Sequence, residues 1–258
     1  MSGPQAQRVQ AQFGPSAAAY VTSAAHAGGE DLDRLLTWGR RRRPARVLDL
    51  ATGTGHTALA FASAALRVVA YDLTEPMLHV AREFVRARDT HNVSFVAGDV
   101  AALPFGEASF DVVTCRLAAH HFPDVAHAVR HVAHVLRPGG SFLVQDILGH
   151  DDPALSAFIL EVERRRDPSH VRAYRRVEWN AFLRAAGLTV IDEDTMSNSR
   201  SWAEWTARMR MSVEARQDLE RFVRAAPPAC RAAFDFRLTD AGVESFADRT
   251  LLLRADKD

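Results

Sequence analysis

The stretch R-V-L-D-L-A-T-G-T-G-H, residues Arg46–His56, decides the fold of this chain. It begins as a short apolar run and continues into alternating threonine and glycine. A helical pattern starts directly afterwards, so the stretch predicts a strand, a tight turn and a helix N-terminus. Such a turn presents free backbone N–H groups and the positive end of a helix dipole. Gly53 and Gly55 lack a Cβ, which lets the backbone bend sharply and a ligand approach closely.

An acidic residue, Asp49, lies near the carboxyl end of this strand. A carboxylate at that position suits a cation, such as an α-amino group, better than a phosphate. The glycines alone are weak evidence, because Gly53-x-Gly55-x-x-Ala58 also satisfies the dinucleotide fingerprint. An ordinary strand-to-helix turn and a nicotinamide site therefore both stay open at this point.

Length and composition exclude several classes of protein. The 258 residues predict one large α/β domain, and a hydrophobic content of 47% can bury a substantial core. Lys plus Arg and Asp plus Glu number 32 each, so there is no overall basic field to hold nucleic acid. Cys115 and Cys230 show no metal-binding spacing, and no apolar run reaches membrane-spanning length. We therefore expect a cytoplasmic protein without a metal site or a membrane span.

The residues ahead of the first strand, 1–45, are predicted to form a helical lid. Met1–Gln10 are small and polar and are expected to be mobile. Apolar residues at helical spacing then predict two short helices, with a break at Gly28-Gly29. Tyr20 and His26 could reach over a bound ligand, although such residues more often pack helices onto a domain.

Acidic residues end the second and third predicted strands. Asp72 follows the glycine turn at about the spacing expected for a carboxylate that accepts hydrogen bonds from ribose hydroxyls. Thr74 can cap the next helix, so Asp72 is predicted to be free for a ligand. Asp99 could accept a hydrogen bond from an adenine amine, with Val100 packed on the ring.

The fourth predicted strand, Phe110–Cys115, runs into Arg116 and then into the pair His120-His121. A fifth strand is predicted at Ser141–Ile147. Strands that alternate with helices predict a right-handed, doubly wound parallel sheet. The carboxyl ends of such strands form the edge at which open α/β sheets bind ligands.

A series of ordered motifs from about Val47 to Ile147 resembles the class I S-adenosylmethionine-dependent methyltransferases. It is most similar to the small-molecule branch that includes the ubiquinone/menaquinone C-methyltransferases. Ala51 departs from the glycine of many members, but the quinone branch also has alanine there. The nicotinamide alternative shares the turn and Asp72 and does not explain the later motifs. The motifs are D-L-A-T-G-T-G (Asp49–Gly55), Y-D-L-T-E-P-M-L (Tyr71–Leu78), G-D-V-A-A-L-P-F (Gly98–Phe105), S-F-D-V-V-T-C-R (Ser109–Arg116) and L-R-P-G-G (Leu136–Gly140).

The resemblance implies an α/β, Rossmann-like domain over residues 46–258. Its doubly wound, mostly parallel sheet would have seven strands, with helical cap segments at about 151–177 and 198–232. In this family a last strand, here Ser245–Arg254, inserts antiparallel between the fifth and the sixth. The cofactor implied is S-adenosyl-L-methionine. The predicted cofactor-binding residues are Asp49, Ala51, Gly53, Thr54, Gly55, Asp72, Leu73, Met77, Asp99, Val100 and Arg116.

The implied reaction is an in-line displacement that moves a methyl group from a sulfonium to a small, apolar or aromatic acceptor. His121 is the preferred candidate for a general base, and His120 is the second, because histidine titrates near neutrality. A non-methylating S-adenosylmethionine-binding protein and an NAD(P)-dependent oxidoreductase remain as alternatives. A homodimer is left open.

A narrower resemblance covers Leu160–Trp179, which is similar to a cap in uncharacterised members of the same superfamily. Asp167-Pro168 is predicted to start a helix there. A further helix is predicted at Ser201–Glu220, whose Trp and Met side chains could line an apolar pocket. The predicted acceptor-binding residues are Tyr20, His170, Arg172 and Trp205.

Overall fold

A sheet of eight strands, with helices on both faces, runs through the described part of the chain. The computed structural model describes residues 3–21 and 28–258. The strands are β1 (Arg46–Leu50), β2 (Arg67–Asp72), β3 (Val93–Ala97), β4 (Phe110–Arg116), β5 (Leu136–Ile147), β6 (Leu188–Ser201), β7 (Arg237–Thr239) and β8 (Gly242–Lys257). The helices are α1 (Pro4–Phe13), α2 (Ala17–Val21), α3 (Glu30–Arg40), α4 (His56–Ala62), α5 (Glu75–Arg86), α6 (Val125–Val135), α7 (Pro153–Arg166), α8 (Arg176–Ala185), α9 (Trp202–Arg208), α10 (Val213–Ala225) and α11 (Pro228–Ala233), with a 3-10 turn at Ala119–His121.

The strand order is β3-β2-β1-β4-β5-β8-β6. The first five strands pair in parallel, and β8 lies antiparallel between β5 and β6, as the family resemblance implied. The predicted number of seven strands is one too low, because β7 pairs with β8 outside this path. β7 has only three residues, all of them exposed, so it is too short for a hydrophobic pattern to predict it from the sequence.

The central strand β1 explains how the two faces of the sheet are buried. Leu48 and Leu50 belong to an apolar cluster that includes residues of α6 and α8. Val47 belongs to a second cluster, with residues of α3 and α4. Successive side chains of a strand point to opposite faces, so one apolar run supplies both cores. Burial on both sides places the turn after β1 in the middle of the domain.

Helices α7, α9 and α10 share an apolar cluster of their own, to which Cys230 of α11 and Phe246 of β8 also belong. The single helix predicted at Ser201–Glu220 is wrong, since α9 ends at Arg208 and the backbone at Arg210 is left-handed, with φ of 54°. Among residues 3–21 and 28–258, no helix has the length and hydrophobicity needed to cross a bilayer.

The helix predicted to start at Asp167 does not exist, because this residue follows the end of α7. Its side chain instead accepts hydrogen bonds from the N–H and the hydroxyl of Ser169. In such an Asx turn, hydrogen bonds to the aspartate side chain replace those of a helix. Asp167 also precedes a proline, and a residue in that position disfavours helical backbone angles.

The expected mobility of Met1–Gln10 is also wrong for the part that the structure describes. Pro4 begins α1, in keeping with the preference of proline for the first helical turn. Ala6 is buried, and Val9 is partly buried on the same side of the helix. His26, which was predicted to reach over a ligand, lies outside the described residues.

We expect Gly55→Val to destabilise the fold more than Gly139→Val does. Both glycines have left-handed backbones, with φ of 83° and 72°, which costs a β-branched residue about 1–2 kcal/mol. A Cβ at Gly55 would also lie 3.2 Å from Cβ of Ala81, whereas a Cβ at Gly139 meets no atom within 4 Å. Crowding should add about 1–3 kcal/mol at Gly55 alone. Urea unfolding of both variants measures this difference, and equal losses would contradict it.

Candidate active site

A cavity of about 300 Å³ lies at the carboxyl ends of β1, β2 and β4. This volume is at the lower end of the range of small-molecule sites. It brings together nearly all the residues that the sequence predicted to bind the cofactor. The predicted residues on its wall are Asp49, Ala51, Gly53, Thr54, Asp72, Leu73, Met77, Asp99, Val100 and Arg116.

The two glycines of the turn face different neighbours. A Cβ on Gly53 would meet no atom within 4 Å, so this residue exposes its backbone to the cavity. Gly55 instead faces Ala81 and Val85 of α5. The cofactor-binding prediction for Gly55 therefore corresponds to a packing position in the structure, which lets α4 start close to α5.

Asp49 presents a buried carboxylate at the end of β1. It is 1% exposed, and its two oxygens accept hydrogen bonds of 2.6 Å from the hydroxyls of Thr52 and Thr114. Burial raises the pKa of Asp49 to about 6, although both hydroxyls lower it. Removal from water penalises the charged form of a carboxyl, and a bound cation would compensate for that penalty. Asp49 is therefore suited to an α-amino group.

Asp72 connects the glycine turn to the start of α5. Its two oxygens accept hydrogen bonds of 2.8 Å from the N–H groups of Gly53 and Thr74. The expectation that a side-chain cap by Thr74 leaves Asp72 free is wrong, because Thr74 makes no such cap. Burial raises the pKa of Asp72. Each carboxylate oxygen can accept a second hydrogen bond, so the ribose role stays compatible with this geometry.

Asp99 and Arg116 occupy two other parts of the wall. Asp99 accepts a hydrogen bond from the N–H of Ala101, which orients its carboxylate in the loop after β3. Arg116 forms an ion pair with Asp31 at the start of α3, with 2.6 Å between Nη2 and Oδ2. Its Nε also donates to Gln145 on β5. The ion pair fastens the N-terminal helices to the end of β4.

Helix α1 covers one side of the cavity, although the sequence predicted that Met1–Gln10, inside the expected lid of residues 1–45, would be mobile. Val9 and Phe13 of this helix line the cavity.

Two glutamine side chains attach α1 to the rest of the domain. Nε2 of Gln5 donates to the carbonyls of His121 and Ser169, and Nε2 of Gln10 donates to the carbonyl of Leu73. These contacts hold α1 to the sheet edge and to the segment after α7. The spacing of Ala6, Val9 and Phe13 was the available signal, and it covers only two turns.

His121 lines the same cavity, and its ring packs edge-on against Phe13 at a centroid distance of 5.0 Å. Nδ1 lies 3.2 Å from both the carbonyl oxygen and the hydroxyl of Ser169, and Nε2 lies 3.8 Å from Oδ2 of Asp167. Burial, and then the charge of His120, lower the pKa of His121 to about 4. The ring is therefore neutral near pH 7.

His120 lies behind His121 and is buried away from the cavity wall. Its ring Nδ1 and its backbone N–H both bind Asp146, at 2.5 and 2.7 Å. Burial disfavours the charged ring, but Asp146 outweighs burial and raises the pKa of His120. The structure thus separates the two candidate bases into a neutral ring at the cavity and a paired ring behind it.

The four predicted acceptor-binding residues are not brought together. Tyr20 lines the cavity. His170 and Arg172 line a second cavity instead. Trp205 lies in the apolar cluster of the cap, with its ring against Arg166 and Phe246. Within the described ranges, no three His, Cys, Asp or Glu side chains are grouped to hold a metal ion.

Comparisons with known proteins identify the class to which this fold and site belong. A family model described as a methyltransferase domain matches residues 48–144. The uncharacterized methyltransferase YcgJ of Bacillus subtilis is 35% identical over 246 residues, which cover 95% of this chain and 97% of that protein. The chain therefore belongs to the S-adenosylmethionine-dependent methyltransferase family.

A solved structure and a quinone-related enzyme agree with this assignment. A crystal structure of a protein from Bacillus halodurans C-125 matches with a TM-score of 0.85 and 36% identity, covering 89% of this chain and 99% of that one. The demethylmenaquinone methyltransferase of Thermus thermophilus is 40% identical over 128 residues, covering 44% of this chain and 58% of that enzyme. The resemblance to quinone methyltransferases is confirmed, and the family assignment replaces the oxidoreductase alternative.

We expect Asp49→Asn to stabilise the protein at pH 8. The folded-state pKa of about 6 lies above the ordinary value near 4, so the native protein loses stability as pH rises between these values. The variant avoids this loss, which amounts to about 3 kcal/mol when Asp49 is fully ionised. Its advantage should shrink by about 1 kcal/mol at pH 5. Urea unfolding at both pH values measures this, and a pH-independent difference would contradict it.

Proposed function

We propose that this methyltransferase acts on a small, apolar or aromatic acceptor in the part of the cavity that is lined by α1 and by the segment after β4. The observation that carries the proposal is the composition of that part of the cavity wall. Val9 and Phe13 come from α1, while Leu117, Ala118 and Phe122 come from the segment after β4. A wall of this kind excludes water and packs an apolar body.

The chain's own residues would hold the donor and protect the transfer. Asp49 would bind the α-amino group, and Asp72 would bind the ribose hydroxyls. Asp99 would accept a hydrogen bond from the adenine amine. S-adenosylmethionine supplies an already activated methyl group, so the protein contributes mainly alignment and a dry pocket.

His121 would act as the base where the acceptor carries a proton. The neutral ring has one nitrogen with a lone pair, and the carboxylate of Asp167, 3.8 Å from Nε2, would stabilise the ring once it has taken up a proton. His121 also lines the cavity beside the apolar wall, which gives it access to an acceptor placed there. His120 would then act through its neighbour, because Asp146 engages its Nδ1 and backbone N–H.

The segments around the cavity support a small acceptor over a macromolecule. We propose residues 1–45 as the lid, since α1 is fastened over the cavity by Gln5 and Gln10. The predicted cap segments, about 151–177 and 198–232, contribute residues to the second cavity and none to the wall of this one. The cytoplasmic setting and the homodimer stay predictions.

A labelled-methyl assay over an acceptor panel tests the proposed function. With S-adenosylmethionine as donor, we expect transfer to substituted phenols or hydroquinones and none to a total RNA or protein extract. The matched control is Asp72→Ala, which removes the carboxylate that orders the turn and should lower every rate at least tenfold. Transfer to RNA or protein in preference to small aromatic compounds would overturn the proposal.

We expect His121→Ala to lower kcat for a phenolic acceptor by about 10²-fold or more, because general-base assistance typically contributes that much. His79→Ala is the control, since His79 is an exposed histidine of α5 that pairs with Glu83 and lies outside the cavity wall. Rates at pH 8 with saturating donor compare the three proteins. An unchanged kcat in the His121 variant would remove the base assignment while leaving the methyltransferase intact.

A further inference from the structure

A second cavity, of about 340 Å³, lies on the other side of the histidines. It shares no wall residue with the cavity at the glycine turn. Its walls come from the end of β5, from α7, from the segment before α8, from the region of α11 and from β6 and β8. The charged residues on these walls are Glu163, Arg172, Asp235, Asp248 and Arg249. Ile159, Leu160 and Phe234 contribute apolar surface. The chamber is therefore large enough for a compact ligand with an apolar body.

The buried carboxyl group of Glu163 on α7 lines this second cavity. Glu163 is 4% exposed, and its Oε2 accepts no hydrogen bond from the described residues. Arg166 is its ion-pair partner at 3.6 Å, but Nε of Arg166 donates to the Trp205 carbonyl and its guanidinium lies over the Trp205 ring. Burial raises the pKa of Glu163 to about 7. A buried carboxylate lacking a donor is unfavourable, and a ligand could supply one.

His170 provides a second acceptor on the same wall. It is 4% exposed, and its ring stacks on His120 with a centroid distance of 4.9 Å. Burial, and then the charge of His120, lower the pKa of His170 well below its usual range. The neutral ring carries one nitrogen with a free lone pair. Two acceptors, a carboxylate and an imidazole, thus line one small chamber.

The partition between the two cavities is continuous protein. The ring of His120 packs against the ring of His121 on one side, at a centroid distance of 4.1 Å, and against the ring of His170 on the other. The carbonyl of His120 also accepts hydrogen bonds from the N–H groups of Val171 and Arg172. A methyl acceptor has to touch the donor in the first cavity. A ligand in the second cavity would therefore be a different molecule from the acceptor.

We propose that the second cavity is a separate binding site for a small amine with an apolar body. A protonated primary amine has three N–H donors for Glu163 and His170, whereas a hydroxyl has one. Its charge also forms a charge-assisted hydrogen bond with the carboxylate. An acidic ligand would meet Glu163 with like charge. The alkyl or aryl part packs against Ile159 and Phe234.

Calorimetric titration of the full chain at pH 8 tests this site, with 2-phenylethylamine as the probe and 2-phenylethanol as its neutral counterpart. The amine should bind at least tenfold more tightly than the alcohol. Glu163→Gln keeps the shape and removes the charge, so it should weaken the amine at least tenfold and change the alcohol by less than about twofold. Glu161→Gln, an exposed position of α7 paired with Arg165, is the matched control and should change neither.

A second variant keeps the test valid if Glu163→Gln does not fold. Ala233→Trp introduces a large ring from an exposed position on the cavity wall and should abolish amine binding. S-adenosylhomocysteine, titrated in parallel, reports on the first cavity and should bind all variants equally. The absence of amine binding, equal binding of amine and alcohol, or competition between amine and nucleoside would overturn the proposal.

Discussion

The hydrogen bond from the N–H of Gly53 to the carboxylate of Asp72 is the contact on which the rest of the site depends. It ties the turn after β1 to the end of β2, and the second oxygen of Asp72 binds the start of α5 through Thr74. One side chain therefore fixes a turn and a helix entry together. Because β1 pairs in parallel with both β2 and β4, the sheet register then places Asp49 beside Thr114. The floor of the cavity is thus set by strand pairing.

Two buried carboxyl groups at this floor reduce the stability of the protein without its cofactor. Burial raises the pKa of Asp49 and of Asp72, so keeping either group ionised costs folding free energy. Their hydrogen bonds offset part of that cost. The apolar clusters on the two faces of the sheet supply the stability that allows such groups to persist. A site that favours a cation in its bound state is accordingly unfavourable when that cation is absent.

Three histidines form a row through one wall, and their surroundings shift their pKa values in different directions. Asp146 raises the pKa of the middle ring, His120, while burial lowers the pKa of His121 and of His170. The row separates the cavity in which we propose methyl transfer from the one that we assign to a second ligand. The pKa values of these identical side chains differ because their neighbours differ. His120 binds the carboxylate of Asp146 on β5, whereas His121 lies against the carbonyl of Ser169 in the segment after α7.

The sequence by itself determined the strand-turn-helix at Arg46–His56, the parallel sheet and most of the cofactor edge, because the carboxyl ends of parallel strands meet on one side whatever the loops do. Only the tertiary structure showed that the segment expected to be mobile forms α1 beside the cavity, that Gly55 faces Ala81 and that His170 belongs to a different chamber. Those facts depend on contacts between residues far apart in the chain, such as Gln5 with His121. The hydrophobic pattern of a short segment carries no information about such contacts, because the orientation of a coil or a short helix depends on the residues that it packs against.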